Sequence, residues 1–210
     1  MAELVAARLC HDFSGLIGTL GGALENLAEE SGMAEGGAED EALGLAREAA
    51  HELGQRLRLW RAAWTGISET MAIADLFALL RALPAARKLR LAASGIPDDV
   101  AFAPEEARVI LNVLILAAEG AGEGGSIRLA AQAEGTLVLM LEGKAARWPA
   151  ALAAWLSDDA AAIAACDQPR AIQGPLTALI ARESGAELSL LLATGAASGP
   201  APLLIRLAGG

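Results

Sequence analysis

The stretch Leu9-Cys10-His11-Asp12-Phe13-Ser14-Gly15-Leu16 decides how the front of this chain reads. Placed on a helix at about 100° per residue, Val5, Leu9, Phe13, Leu16, Leu20, Leu24 and Leu27 fall in one arc. This predicts a long amphipathic helix over residues 2–29 with that arc buried and with Cys10 and Ile17 widening it on one flank. His11 lies about 200° from Leu9 on the same cylinder and is predicted to face water. Around it on the outer face come Arg8, one turn earlier, then Ser14, Gly15, Gly18 and Gly22. Each interior glycine costs a helix about 1 kcal/mol relative to alanine, so this face, with Gly21, stays helical only through packing on the opposite one. The small residues leave the imidazole unshielded. An exposed His followed by an acid and bordered by glycines suits a partner whose own active site must reach a ring nitrogen. The same letters also describe a plain surface His beside a weakly helical patch.

Composition narrows the choice. The chain has 210 residues, 54% of them hydrophobic, which is ample for a sizeable core in one domain or two modest ones. A formal net charge of −10, with no basic stripe and few aromatic residues, argues against nucleic acid and against anionic membrane surfaces and favours a protein partner. Met1-Ala2-Glu3-Leu4 carries an acid where a signal peptide needs positive charge, and the longest apolar run, residues 109–118, is too short to span a bilayer. The expected location is the cytoplasm. Cys10 and Cys166 fall on unrelated elements and are expected to be reduced thiols. No metal site is expected, because Cys10, His11 and Asp12 diverge around a helix and no ligand spacing repeats.

Taken in order, the first helix leads into a glycine- and acid-rich loop over residues 30–37. A second helix is predicted from Glu39 or Asp40, with Leu43, Ala46, Ala50, Leu53, Leu57, Trp60 and Trp64 as its stripe and His51 on its flank. Two such helices make an antiparallel hairpin, residues 1–68. One hairpin cannot bury so wide an arc. A second copy, giving a four-helix bundle on a two-fold axis, is the simplest closure, and the chain's own C-terminal half is the competing one. Gly66 is expected to end the second helix.

Residues 69–210 change texture. A short helix is predicted over residues 71–83, stopped by Pro84, then a strand over 88–93. Pro104-Glu105-Glu106 opens a helix whose apolar residues run all round it, so it must be buried. A hairpin follows, strands 126–132 and 136–142 about a turn at Glu134-Gly135. Short helices over 148–156 and 158–165, a helix from Gln173 to Glu183 closed by Gly185, and strands over 187–192 and 203–207 complete the pattern. The fold class is α+β: helices covering one face of a mixed sheet, behind an N-terminal helical hairpin.

Ala7-Arg8-Leu9-Cys10-His11-Asp12-Phe13 resembles the phosphoacceptor box of ChpT-type histidine phosphotransferases, which are built like a histidine kinase that has lost its ATP site. The segment from Glu105 through Asn112 to Leu114, with Ala117-Ala118-Glu119 and Gly124-Gly125, is similar to a kinase N-box helix and the strand after it. Gln173-Gly174-Pro175-Leu176 through Ala181-Arg182-Glu183-Ser184-Gly185 resembles that family's last helix. Two departures stand out. Many members carry proline five residues after the His, where this chain has Leu16. An ATP-binding domain also needs an Asp-x-Gly-x-Gly segment, whereas Leu141-Glu142-Gly143-Lys144-Ala145-Ala146-Arg147 has one glycine and no preceding Asp. Asn112 alone cannot organise Mg²⁺ and a triphosphate, and is read as structural.

The resemblance implies a histidine phosphotransferase of a two-component phosphorelay. It would pass a phosphoryl group from the receiver domain of a hybrid kinase to response regulators, as a homodimer built on a degenerate kinase-like domain. His11 is then the phosphoacceptor, with Asp12 as the acid that fixes its tautomer and Arg8 as a guanidinium within reach of phosphoryl oxygens. Direct contact between His11 and Asp12 is left open, since neighbouring side chains diverge by about 100°, and Asp12 has a salt bridge to Arg8 as its alternative role. Ser14, Gly15, Gly18 and Gly22 form the expected docking floor. The chain is expected to bind no cofactor or metal, Mg²⁺ coming with the receiver partner. A non-catalytic dimeric receiver-binding scaffold and, further off, an ATP-dependent sensor-type kinase are the alternatives.

Overall fold

The computed structural model describes residues 2–30, 36–133, 135–191 and 199–208. The chain divides into two compact units, Met1–Arg58 and Leu59–Gly210.

The first unit is a helical hairpin of α1 (Ala2–Glu30) and α2 (Gly36–Trp60), the last two residues of α2, Leu59 and Trp60, belonging to the second unit. An arginine near the end of α2, Arg56, donates to the Asp12 carbonyl near the start of α1 at 2.8 Å, so the helices run antiparallel. Helix α2 begins a few residues before the expected Glu39 or Asp40, and of the expected loop residues 31–35 lie outside the described residues. The buried seam differs from the predicted stripe. Its fully enclosed side chains are Ala23, Ala42, Ala46 and Ala49, whereas Val5, Leu9, Phe13, Leu16, Leu20 and Leu27 are half-buried. Leu24, Ile17, Cys10, Ala50 and Leu57 are exposed. Helices that approach closely meet through their smallest side chains, so alanine fills the seam and the larger apolar residues splay to either side.

Beyond α2 the helix widens into one π-helical turn, Arg61–Thr65, and stops at Gly66, whose φ of 109° suits glycine. Trp60 and Ala63 are buried there, and the Trp60 and Trp64 rings stack with centroids 4.3 Å apart. In the second unit β1 (Met71–Ala72) pairs antiparallel with β3 (Ala101–Phe102). Between them lie α3 (Ile73–Leu80), α4 (Pro84–Arg87) and β2 (Arg90–Ser94). The predicted helix over 71–83 is therefore shorter, and Pro84 opens a new turn at its first position, where a missing N–H costs nothing.

Next come α5 (Pro104–Ala121), β4 (Ser126–Ala133) and β5 (Thr136–Glu142). The chain continues with α6 (Leu152–Ser157), α7 (Asp159–Ala164), α8 (Gln173–Glu183), β6 (Glu187–Leu190) and β7 (Leu203–Arg206). Of the predicted β4–β5 turn, Glu134 lies outside the described residues and Gly135 has φ 65°. The predicted helix at 148–156 starts only at Leu152, and Leu192 of the predicted sixth strand also lies outside the described residues. The five-stranded sheet has the order β2-β4-β5-β7-β6; β2 and β4 are parallel and the other neighbours antiparallel, so the sheet is mixed as expected.

Register explains the core. Ile127 faces Leu141, Leu129 faces Leu139, and Leu139 faces Leu203, placing all five on one side of the sheet, where they are buried. Helix α5 packs against β4, β5 and α8, and every residue from Val109 to Ala118 is buried, as its all-round apolar composition requires.

Candidate functional site on the helical hairpin

The imidazole of His11 stands on the outer face of α1 with 52% of its side chain exposed. Its Nδ1 lies 3.2 Å from Asp12 Oδ1. The divergence of neighbouring side chains expected on a helix does not keep the two apart. The other carboxylate oxygen, Oδ2, accepts from Arg8 Nε at 2.9 Å. Asp12 thus makes both contacts that the sequence reading treated as alternatives, and its side chain is only 17% exposed. A carboxylate oxygen against Nδ1 suits the tautomer that carries its proton there and its lone pair on Nε2. Arg8, 12% exposed, lies along the helix surface toward Asp12.

One turn on, Ser14 Oγ donates back to the Cys10 carbonyl, which turns the hydroxyl along the helix. Gly15 and Gly18 are exposed and Gly22 is half-buried. A Cβ added at any of the three would meet no atom within 4 Å, so these glycines serve no packing need inside the chain. Cys10 is an exposed free thiol beside them.

Sequence reading passed over Arg56. Its Nη1 donates to the Asp12 carbonyl, its Nη2 is 3.6 Å from Glu52 Oε2, and the side chain is 15% exposed. The available signal was an arginine four residues after a glutamate on a helix flank, which usually marks a solvated pair. His51, exposed on the same helix, instead pairs with Gln55 through Nε2 at 2.7 Å.

The second unit holds a different polar group. Asn112, fully buried on α5, donates through Nδ2 to the carbonyls of Ala63 at 2.7 Å and Arg108 at 2.9 Å, and its Oδ1 accepts from Gln173 Nε2 at 3.1 Å. Thr177 Oγ1 donates to the Gln173 carbonyl at 2.7 Å. Arg108 adds a bond to the Trp64 carbonyl at 3.1 Å and an ion pair with Glu183. This cluster ties the widened turn after α2, α5 and α8 together. Both ends of the Asn112 amide are occupied by protein groups, and Gly143 backs onto the end of α5, where a Cβ would come within 2.9 Å of the Ala121 carbonyl. Among the described residues no helix is long and apolar enough to cross a membrane.

A solved structure described as a bacterial phosphotransferase shares the fold with a TM-score of 0.66 at 21% identity, over 97% of this chain and 93% of that one. A mycobacterial sensor histidine kinase, MprB, matches at 18% identity and TM-score 0.45 over 67% of this chain and 97% of its own. The Acinetobacter baumannii histidine kinase AdeS matches at 13% and 0.41, over 94% and 96%. No curated protein matches in sequence. The family described as the histidine phosphotransferase C-terminal domain matches residues 73–195. That match takes in more than half of the chain, which therefore belongs to the histidine phosphotransferase family.

Proposed function

We propose that the chain relays phosphoryl groups between receiver domains through Nε2 of His11, taking them from a hybrid kinase and handing them to response regulators in the cytoplasm. The carrying observation is the exposed imidazole whose Nδ1 is set against the Asp12 carboxylate. Nε2 attacks the phosphorus of the receiver's aspartyl phosphate; the P–O bond to the acyl oxygen breaks, and the aspartate leaves as a carboxylate with the bonding pair. The ring becomes cationic with its proton still on Nδ1, and Asp12 stabilises that charge. Transfer to the next receiver reverses the step: its aspartate attacks, the N–P bond breaks, and the pair returns to Nε2. Arg8 holds Asp12 in place. Mg²⁺ comes with the receiver's acidic pocket.

Ser14, Gly15, Gly18 and Gly22 form the floor on which the receiver docks, with open space above the glycines. The exposed apolar residues Ile17, Leu24, Leu45 and Leu57 favour a second copy of the hairpin, which would complete a four-helix bundle. The kinase alternative finds little support: the Asn112 amide is committed to protein partners, and the stretch around Gly143 packs on α5 instead of opening toward a triphosphate.

The test charges a panel of purified receiver domains with acetyl phosphate and follows acid-labile label on the wild type and on His11→Ala. Label on the wild type alone is expected, and none with ATP alone. Label on His11→Ala rejects the site, binding without label on the wild type leaves the scaffold reading, and label from ATP alone revives the kinase.

A further inference from the structure

The carboxylate against its Nδ1 and the backbone that carries both residues act on where the His11 ring points. Arg8 reaches the carboxylate from the same helix. The backbone is held from the other helix, because Arg56 Nη1 donates to the Asp12 carbonyl at 2.8 Å across the hairpin. Within α1 that carbonyl is already the acceptor for the N–H four residues on, so Arg56 adds a second, charged donor to an oxygen that does not need one for helix formation. Glu52, one turn back on α2, lies 3.6 Å from the guanidinium and holds it from behind. Arg56 Nε is enclosed and bonds to nothing among the described residues. Enclosing an arginine with one donor unmet is costly unless the remaining bonds do something specific.

We infer that Arg56 is a positioning residue for phosphoryl transfer: it locks the His11–Asp12 turn of α1 against α2, so that Nδ1 stays on Asp12 and Nε2 points in line with an incoming phosphorus. This rests on the relay reading through His11. The guanidinium does not touch the reacting atoms; it acts through the Asp12 backbone. Gly15 and Gly18, on the following turns, add no side chain to brace this stretch of α1, and Arg56 braces its backbone from the opposite helix. Receiver affinity is set elsewhere, on the outer face, so loss of Arg56 slows the saturated rate and leaves half-saturation unchanged.

The experiment uses the full chain and receiver domains charged with acetyl phosphate, in single turnover, comparing wild type, Arg56→Met, Arg56→Lys, Glu52→Gln and His11→Ala. Arg58→Met, an exposed arginine two residues on, is the charge-matched control. The saturated rate of Arg56→Met is expected to fall by about 10-fold to 100-fold, the range for a reacting group displaced by an ångström. Arg56→Lys, which keeps one charged donor, recovers part of it, and Arg58→Met stays at the wild-type rate. Nitrogen-15 NMR of the His11 ring in Arg56→Met should show a reduced Nδ1–H population, which a purely structural role would not produce. A wild-type saturated rate in Arg56→Met, a change only in half-saturation, or an unaltered tautomer overturns the inference while leaving His11 as acceptor. Label on His11→Ala instead overturns the relay reading. Should Arg56→Met fail to fold, Glu52→Gln decides: a smaller loss in the same direction supports the lock, and a wild-type rate and tautomer reject it.

Discussion

In the first unit, up to Arg58, every fully enclosed side chain among the described residues is an alanine, while in the second unit Leu59, Trp60, Leu76, Leu80, Ile110, Leu114, Ile127, Leu139 and others are closed off. Burying a leucine or isoleucine stabilises by about 1.5–3 kcal/mol and a single methyl by much less. The second unit therefore carries its own core. The hairpin carries a seam, and leaves Ile17, Leu24, Leu45 and Leu57 in water with relative exposures of 46–55%. The contrast explains where chemistry can sit. A helix whose inner face is thin and whose outer face carries glycines can present one ring to a bulky partner, whereas α5, enclosed on all sides from Val109 to Ala118, can present nothing along that stretch.

The largest effect should come from the exposed apolar side of the hairpin. Replacing Leu24 and Leu57 together by glutamate is expected to convert a dimer to a monomer in light scattering at micromolar concentration, with a deep fall in melting temperature, because four charges would be buried without partners in the bundle. Ile163→Glu, at 59% exposure in the second unit, is the matched control and should change neither. A Leu24/Leu57 double variant that remains dimeric would show that the copies meet elsewhere.

A smaller effect, and of the opposite kind, is expected at Asn112. Its replacement by alanine deserts the Ala63 carbonyl and the Gln173 amide, both at buried contacts, and should cost about 2–3 kcal/mol. Urea unfolding would show it. Below the new transition, phosphoryl uptake per folded molecule should equal that of the wild type, since the hairpin chemistry does not pass through this cluster. Loss of uptake without loss of stability would mean that the old N-box position still takes part.

How much of this was legible in the sequence follows the same contrast. Strongly patterned elements announced themselves: α5 through a long apolar run interrupted at Asn112, β4 and β5 as two strand-like stretches about a turn, α8 through its start at Gln173 and its stop at Gly185. The exposure of His11 also followed from helical phase. What phase could not supply was depth. Leu24 and Leu57 lie on the arc that periodicity marks as inner, yet the helices approach through Ala23, Ala42, Ala46 and Ala49, and only the distance between two axes decides which side chains fit the gap. Arg56 was invisible for a related reason: its partner is a backbone oxygen 44 residues away, and side-chain chemistry leaves no trace of that in the string. The two-residue strands β1 and β3 pair only with each other, and neither is long enough to show alternation.

The smallest and sharpest prediction concerns Gly18. It is an exposed mid-helix glycine with nothing within 4 Å of an added Cβ, so Gly18→Ala should stabilise the hairpin by up to about 1 kcal/mol through helix propensity alone. A helix that needed only to persist would gain from this change. If the position is floor for a docking receiver, the added methyl must also stand in the interface and lower the rate of phosphoryl uptake at subsaturating receiver while the melting temperature rises. Stability and transfer would then move in opposite directions on one methyl group, the sign that the glycine serves the partner and not the fold. A rise in melting temperature with unchanged uptake would move the docking surface off this face of α1 and leave only the ring of His11 to define the site.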